Sequence, residues 1–279
     1  MGEHEQRKRP TGAGTDVLPP PCVVGPGRSS LPTMLDQTAQ KRAAAEAAVA
    51  EIAVGMRIGL GTGSTVAFAI AALGRRVAAG LRITAVATSL HTGEAARAAG
   101  ITIVDMGDLD ALDLAIDGVD EIDPAFRAIK GAGGAMLREK VVADAAARMI
   151  AIADATKPVA RLGECPVPVE VLPFARSLVE RRVRELGGRP VRRCGERGAA
   201  WSSDQGNVVL DCRFGPIADP ARLAAALDSI PGLLGHGLFL TEIDTLYTGG
   251  PDGVAKSDRT ASVRDDSLPS AHPSPPATV

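Results

Sequence analysis

The sequence alternates short, almost continuously apolar runs with alanine-rich segments of helical length. The apolar runs lie at residues 56–61, 81–88, 101–106, 112–118 and 149–154. Strands that are apolar along their whole length are typically buried on both faces, as in a parallel sheet covered by helices. The alternation therefore predicts an α/β fold with a mostly parallel sheet.

The pattern changes after Leu162. The segment PVPVEVLP (166–173) carries three prolines, which argues against a central strand because proline cannot donate a ladder hydrogen bond. Helix-like and strand-like segments then alternate with hairpin-like turns. This predicts a smaller α+β domain over residues 163–237, inserted into the sheet domain.

The remaining boundaries follow from composition. The sheet domain is expected to comprise residues 34–162 and 238–255. Residues 1–33 are rich in Gly, Pro and charge without periodicity, so they are predicted to be a disordered extension, and Met34 is a candidate for the physiological start. The tail after about Gly250 ends in Pro, Ser and Asp, and residues 256–279 are also predicted to be disordered.

Charge and cysteine usage exclude several classes of function. The net charge is -2 and the pI is near 6.1, with no long Lys/Arg run, so nucleic acid is not an expected partner. No apolar run approaches the roughly 20 residues that span a bilayer, so no membrane segment is expected. The four cysteines form no C-x-x-C pair and no zinc spacing with the four histidines. We therefore expect reduced thiols, no metal site and a cytoplasmic protein.

A glycine-rich loop, GLGTGST (59–65), follows the first strand and opens a helix. Glycines permit a tight turn, and hydroxyls with amides at a helix N-terminus bind anions. No lysine precedes the hydroxyl pair as in a Walker A loop, and Val66 replaces the third glycine of a dinucleotide fingerprint. A small phosphate cradle remains, with a capped strand–helix turn as the alternative. Its candidate residues are Thr62, Gly63, Ser64 and Thr65.

The segment TSLHT (88–92) ends the second strand. Its hydroxyls could face the same crevice, because ligands of open α/β sheets lie beyond the carboxyl ends of the strands. Capping of the next helix is an equally good interpretation. His91 is interpreted as a surface residue without a catalytic role.

Acids and cations cluster between residues 117 and 140. Asp117 and Asp120 end a strand in DGVDE, and crowded carboxylates raise one another's pKa, as a proton-transfer group requires. Lys130 precedes a glycine loop and can stabilise a developing oxyanion. Glu139 opens the next helix as a candidate general base. A solvated Asp-Gly turn and a helix-dipole carboxylate are the structural alternatives.

These motifs resemble, in order and spacing, the type A ribose-5-phosphate isomerases. The resemblance is carried by GLGTGST, ATSLHT, LDLAIDGVDEID, IKGAGGAMLREKVVA and IADATK, and by later blocks such as NVVLDCRF. It implies a Rossmann-like domain with a smaller, ferredoxin-like α+β domain, assembled as a homodimer or homotetramer. It also implies interconversion of ribose 5-phosphate and ribulose 5-phosphate in the pentose phosphate pathway, without metal or organic cofactor.

The resemblance also assigns roles to individual residues. Glu139 matches the general base, Asp117 the acid for opening the sugar ring, and Lys130 the cation beside the enediolate. The substrate-binding positions implied are Lys41, Thr62, Gly63, Ser64, Thr65, Asp117, Gly118, Val119, Asp120, Lys130, Gly131, Ala132, Gly133 and Lys157. Ala132 departs from the glycine found in many members.

Three other functions compete with this one. A sugar-phosphate-sensing regulator would use the phosphate loop without Glu139, and it usually carries a DNA-binding helical domain, for which residues 1–37 are too short. An acyl-CoA transferase-like enzyme would need an adenine site that the sequence does not offer. A non-catalytic homologue would not need all of the polar candidates.

Overall fold

The computed structural model describes residues 34–195 and 198–260. The predictions made for residues 1–33 and for residues 261–279 fall outside these ranges. Among the described residues, no helix combines the length and apolar character needed to cross a membrane.

A six-stranded sheet forms the centre of the larger part of the molecule. Its strands are β1 (Arg57–Leu60), β2 (Thr84–Ala87), β3 (Leu114–Gly118), β6 (Met149–Asp154), β12 (Thr245–Gly250) and β13 (Gly253–Asp258). They lie in the order β13-β12-β6-β3-β1-β2, and every neighbouring pair is parallel except β12 and β13. The prediction of an α/β fold with a mostly parallel sheet is confirmed.

Helices cover both faces of this sheet. They are α1 (Met34–Ala50), α2 (Ser64–Ala78), α3 (Leu90–Ala98) and α4 (Met136–Ala145). In β6, Ile150 and Ile152 pack against α1 and α2, whereas Met149 and Ala151 face the opposite way, towards α4. All residues of β6 are buried, which explains why this strand is apolar throughout.

The second sheet is antiparallel and has its own core. Its strands β7 (Val167–Val171), β8 (Arg189–Arg192), β9 (Val208–Arg213) and β10 (Leu233–His236) lie in the order β10-β7-β9-β8. The helices α5 (Arg176–Glu185) and α6 (Pro220–Asp228) pack against it through residues such as Val179, Val183 and Leu227. A three-stranded sheet, β11-β5-β4, lies between the two, built from β4 (Glu121–Ile122), β5 (Ala128–Ile129) and β11 (Leu238–Phe239).

The proline-rich segment was wrongly predicted to avoid a central strand. It forms β7, which pairs with β9 on one side and β10 on the other. Pro168 fits because β10 ends at His236, opposite Val169. Beyond that point the carbonyl of Pro168 accepts a bond from the amide of Gly237, and the proline ring lies where a side chain at position 237 would stand.

Two further predictions were wrong in detail. Residues 101–106 do not form a strand of the sheet. Only Ile103 makes a bridge to β2, and Asp105 caps a 3-10 turn at Met106–Asp108 that ends the extended run. At the other end, residues 253–258 form β13 and are not part of a disordered tail, because they pair with β12 along its full length.

A network around Glu51 ties α1 to the far edge of the sheet. Its carboxylate accepts hydrogen bonds from Arg148, from the hydroxyl of Tyr247 and, at 3.0 Å, from Lys256. Burial opposes the charged form, but these donors outweigh it and lower the pKa of Glu51 to about 2. The ionised carboxylate therefore stabilises the docking of β12 and β13.

Replacing Glu51 with Gln should cost about 1–2 kcal/mol of unfolding free energy at pH 7, after allowance for solvent screening. A lowered pKa gives stability that is present above the unfolded value and lost as the pH falls towards about 2. In urea unfolding, the difference in unfolding free energy between wild type and Glu51→Gln should therefore become smaller from pH 7 to pH 3. Glu94→Gln, at an exposed position of α3, serves as the control, and a pH-independent gap would contradict the assignment.

Candidate active site

The sheet changes direction between β1 and β3. After β1 the chain adds β2 on one side and later adds β3 and β6 on the other. In such sheets a crevice opens at this switch point, beyond the carboxyl ends of the strands. The loops that follow β1, β3 and β6 meet there, so the topology gathers segments about a hundred residues apart in the chain.

A cleft of about 250 Å³ lies at this position. All of the predicted site residues except Asp117 line it. The lining residues are Lys41, Thr62, Gly63, Ser64, Thr65, Gly118, Val119, Asp120, Lys130, Gly131, Ala132, Gly133, Glu139 and Lys157. Asp117 lies immediately behind this wall, in contact with Lys130.

Three buried ionisable groups meet at the inner end of the cleft. The ammonium nitrogen of Lys130 lies 2.8 Å from Oδ2 of Asp117 and 3.3 Å from Oε2 of Glu139. The three side chains are only 2–4% exposed. Lys130 also donates to the carbonyl of Gly118. Among the described residues, no donor hydrogen-bonds Oε2 of Glu139, which has only the ionic contact with Lys130, and the residue lines the cleft.

Two carboxylates share one cation here, and their pKa values reflect it. Burial, and then repulsion from Asp117, raises the pKa of Glu139 to about 8 against the attraction of Lys130. Burial also raises the pKa of Asp117, although Lys130 and two backbone amides oppose the shift. Burial by itself would lower the pKa of Lys130, but the two acids outweigh it and raise that pKa. Glu139 can therefore hold and release a proton near neutral pH.

Backbone contacts fix the position of Asp117 and Lys130. Oδ1 of Asp117 accepts bonds from the amides of Thr62, at 3.1 Å, and Gly118, at 2.7 Å. A side chain at Gly61 would lie 1.8 Å from this oxygen, so glycine is needed for the carboxylate to approach β1. Lys130 follows β5, and its amide donates to the carbonyl of Gly237 at 2.8 Å. The ring of Phe239 lies 5.3 Å from its ammonium group.

The outer end of the cleft is suited to a phosphate. No side chain caps α2 at Gly63, so the first amides of this helix are available to an anion. Lys41 donates to the hydroxyl of Ser64 at 3.1 Å and lies 3.9 Å from the buried Asp154. Lys157 lines the cleft and makes no ion pair within 4.0 Å among the described residues. Its charge is available to a bound ligand.

The hydroxyls after β2 do not line the cleft. Thr88 and Ser89 are buried, and both bond to the hydroxyl of Thr62, at 2.8 Å and 2.9 Å. Ser89 also caps α3 by accepting from the amide of Thr92. The capping interpretation is therefore correct for Ser89, and these hydroxyls act on the cleft through Thr62. His91 is exposed.

The loop after Lys130 contacts the antiparallel sheet, which the sequence did not predict. Arg193, after β8, donates to the carbonyls of Gly131 and Ala132, and Trp201 packs where a side chain at Gly134 would stand. Trp201 is the single tryptophan of the chain, a signal that could have been used. Nothing in the sequence distinguishes Arg193 from its neighbouring arginines. Ala132 has an ordinary negative φ, which explains why alanine is tolerated there.

A larger cavity of about 520 Å³ lies between α3 and α4. It is lined by apolar residues such as Leu90, Met106 and Val141 together with Arg97 and Arg138. It contains none of the predicted site residues, so the smaller cleft is the candidate active site. In the described part of the chain, no three or more His, Cys, Asp or Glu side chains are grouped to hold a metal.

Comparison with known proteins decides the family. The sequence profile of ribose 5-phosphate isomerase A (phosphoriboisomerase A) matches residues 84–253. The chain is 49% identical over 225 residues to ribose-5-phosphate isomerase A of Roseiflexus castenholzii, covering 80% of this chain and 96% of that protein. The corresponding protein of Sphingopyxis alaskensis is 50% identical over 222 residues, covering 79% and 96%. The chain belongs to the ribose 5-phosphate isomerase A family.

Solved structures of this family share the fold. Ribose 5-phosphate isomerase A of Methanocaldococcus jannaschii superposes with a TM-score of 0.75 at 36% identity, covering 78% of this chain and 97% of that one. A D-ribose-5-phosphate isomerase in complex with phospho-erythronic acid gives a TM-score of 0.76 at 35% identity, with the same coverages. The resemblance seen in the sequence is therefore confirmed at the level of family and fold.

Replacing Gly61 with Ala should displace the Asp117 carboxylate, because the new methyl group would lie 1.8 Å from Oδ1. Overpacking of this kind typically costs about 1–3 kcal/mol of unfolding free energy. Urea denaturation measures the cost. Gly93→Ala is the control, since its methyl group would meet the flexible end of Arg97 at 3.3 Å and Cβ of Ala87 at 3.6 Å, an ordinary contact distance. Equal stability of the Gly61 variant and wild type would contradict the close packing.

Proposed function

We propose that this protein is a metal-independent aldose–ketose isomerase that interconverts D-ribose 5-phosphate and D-ribulose 5-phosphate in the non-oxidative branch of the pentose phosphate pathway. The observation that carries the proposal is the contact of Lys130 with both Asp117 and Glu139 at the end of a small polar cleft. The related proteins are ribose-5-phosphate isomerases A, which supports ribose 5-phosphate as the substrate.

The proposed reaction begins with the open-chain aldose. Glu139, as a carboxylate, takes the proton from C2, and the electron pair moves through C1 so that negative charge develops on O1 of a cis-enediolate. Lys130 stabilises this charge where it develops. The hydroxyl proton of O2 passes to O1, and Glu139 returns its proton to C1, which leaves a carbonyl at C2. One carboxylate can serve both carbons because they are neighbours on one face of a planar intermediate.

Asp117 has a separate proposed task. Its Oδ2 oxygen lies against Lys130, and its Oδ1 oxygen is held by two amides. We assign to it the acid–base step that opens the furanose ring, in which a proton moves between the O1 hydroxyl and the ring oxygen. Its charge also raises the pKa of Glu139, so it tunes the base. Asp120, which lines the cleft, is proposed to contact the substrate hydroxyls.

The phosphate is proposed to bind at the opposite end of the cleft. The helix N-terminus at Ser64 and Thr65, with Lys41 and Lys157, provides amides, hydroxyls and positive charge there. The related isomerase solved with phospho-erythronic acid supports a ligand that carries a phosphate and an acid group. A sugar-phosphate-sensing module was the other hypothesis. The named relatives do not favour it, and it would not require a raised pKa at Glu139.

The direct test is a coupled assay of the purified protein with ribose 5-phosphate. We expect ribulose 5-phosphate to form, and we expect the rate to survive dialysis against EDTA, since Lys130 takes the charge-stabilising role that a divalent ion would otherwise have. If no ribulose 5-phosphate forms although the coupling enzymes are active, ribose 5-phosphate is not the substrate. Loss of turnover on chelation, restored by added metal, would reject the metal-independent route.

Glu139→Gln should lower kcat by about 10²–10⁴-fold, because an amide cannot accept the C2 proton. Binding of ribose 5-phosphate, measured by calorimetry, should remain close to wild type, since the side chain keeps its shape. Glu94→Gln on the surface of α3 is the matched control. Turnover near the wild-type rate in Glu139→Gln would remove the base assignment.

The pH dependence of kcat/KM should reveal the ionisation of Glu139. A base acts only when deprotonated, so kcat/KM should rise with pH through the pKa of Glu139, which is about 8 in the free protein. The phosphate of the substrate has a pKa of about 6 and gives a separate inflection in the profile. A profile that is flat between pH 7 and pH 9 would show that Glu139 does not titrate as described.

Quaternary structure and domain division complete the proposal. We propose a cytoplasmic homo-oligomer, as the family resemblance implies; the free thiols Cys165, Cys194 and Cys212 agree with a reducing compartment. We also propose that residues 34–162 with 238–255, extended to Asp258 by β13, form the catalytic domain and residues 163–237 the second. The six-stranded and four-stranded sheets draw their strands from these two parts.

A further inference from the structure

Arg193 joins the antiparallel sheet to the loop that follows Lys130. Its Nη1 lies 3.2 Å from the carbonyl oxygen of Gly131 and 3.0 Å from that of Ala132, and its Nη2 lies 3.2 Å from that of Gly131. The other edge of the guanidinium binds both carboxylate oxygens of Asp211 in β9. The side chain is only 14% exposed, so it is a fixed part of the wall behind the loop.

These bonds, together with the amide of Gly134, which donates to the Gly131 carbonyl at 2.9 Å, set the orientation of two peptide planes. In a trans peptide the carbonyl and the following N–H point in opposite directions. The Gly131 carbonyl faces Arg193, and the next amide, of Ala132, points away and donates to Oδ2 of Asp120 at 2.9 Å. The Ala132 carbonyl also faces Arg193, so the amide of Gly133 points away from the arginine. Among the described residues this amide has no acceptor, and Gly133 lines the cleft.

We propose that Arg193 is a positioning residue for the isomerase reaction. By holding the carbonyls of Gly131 and Ala132 away from the cleft, it keeps their negative ends from the developing enediolate and presents the Gly133 amide to the substrate. It also orders Asp120 through the Ala132 amide. This inference rests on the proposed function for its catalytic consequence, but the orientation of the loop can be tested without it.

The surroundings of Arg193 require a guanidinium. Its two bonds to Asp211 and three to the loop use the planar fork of donors, which a lysine cannot reproduce. The ring of Trp201 lies 5.2 Å from its central carbon and also covers Gly134, whose φ of +80° and lack of a side chain make room for the indole. Arginine, ring and loop therefore form one packed unit.

The segment that carries Trp201 is itself anchored to the antiparallel sheet and to α3. Glu170, fully buried in β7, accepts from the Ser203 hydroxyl at 2.6 Å and from the Asn207 amide at 2.9 Å. Asp204 accepts from the amide of Leu90, at the start of α3, at 2.7 Å. The segment that packs against Arg193 is therefore itself fixed by hydrogen bonds, as a positioning role for the arginine requires.

The test compares Arg193→Lys with Arg192→Lys, an exposed neighbour in β8. For Arg193→Lys we expect kcat to fall about 10-fold or more, with a smaller change in KM, because the misplaced dipoles oppose charge that exists mainly in the transition state. Asp211→Asn should also lower kcat. Because the two residues act together, the fold-decrease in kcat of the double variant should be smaller than the product of the two single fold-decreases. Arg192→Lys should behave like wild type.

Amide hydrogen exchange gives a readout that does not depend on turnover. The Ala132 amide should exchange about 10-fold faster in Arg193→Lys than in Arg192→Lys, because its bond to Asp120 loses its support. Unchanged exchange at Ala132, or a kcat within twofold of wild type in folded Arg193→Lys or Asp211→Asn, would overturn the proposal. An inactive wild type with faster Ala132 exchange in the variant would instead reject the proposed function and leave the orienting role of Arg193 standing.

Discussion

The contact of one buried lysine with two buried carboxylates is the constraint on which the rest of the structure depends. Removing charges from water costs several kcal/mol per ion unless they are paired. Lys130 cannot fully neutralise both Asp117 and Glu139, so one acid is left with an unfavourable charge. The pKa of about 8 at Glu139 is the consequence. A group that is costly to ionise in the free protein is well suited to accept and return a proton.

Such a cluster can form only where the backbone comes unusually close to the groups of the cluster. Gly61 lets the carboxylate of Asp117 lie against the end of β1, and Gly237 lets the carbonyl of Lys130 lie where a side chain would otherwise stand. The cluster therefore draws on two separate sheets, since β3 supplies Asp117 and the short β5–β11 pair holds Lys130. The small three-stranded sheet has little core of its own, and it holds Lys130 in position.

The antiparallel sheet contributes through the same loop. Its own core is closed by α5 and α6, yet it reaches the active site through Arg193 and Trp201. The two carbonyls bound by Arg193 are the groups that would otherwise place negative charge near the substrate. The strands of this sheet lie between β6 and β12 in the chain, so a segment outside the main sheet contacts the glycine loop.

The sequence by itself determined the parallel sheet, the family and the residues of the cleft. Apolar runs such as that of β6 specify burial on both faces, and strand-end motifs converge wherever parallel strands share an edge. It misjudged β7 and β13, because proline at position 168 is acceptable only where a neighbouring strand ends, and the exposed residues of β13 depend on β12 for their pairing. Tertiary structure alone decided that Asp117 lies behind Lys130, that Thr88 and Ser89 bond to Thr62 and that Arg193 bonds to the loop. These are contacts between segments far apart in the chain, and local pattern carries no information about which of several similar side chains will meet.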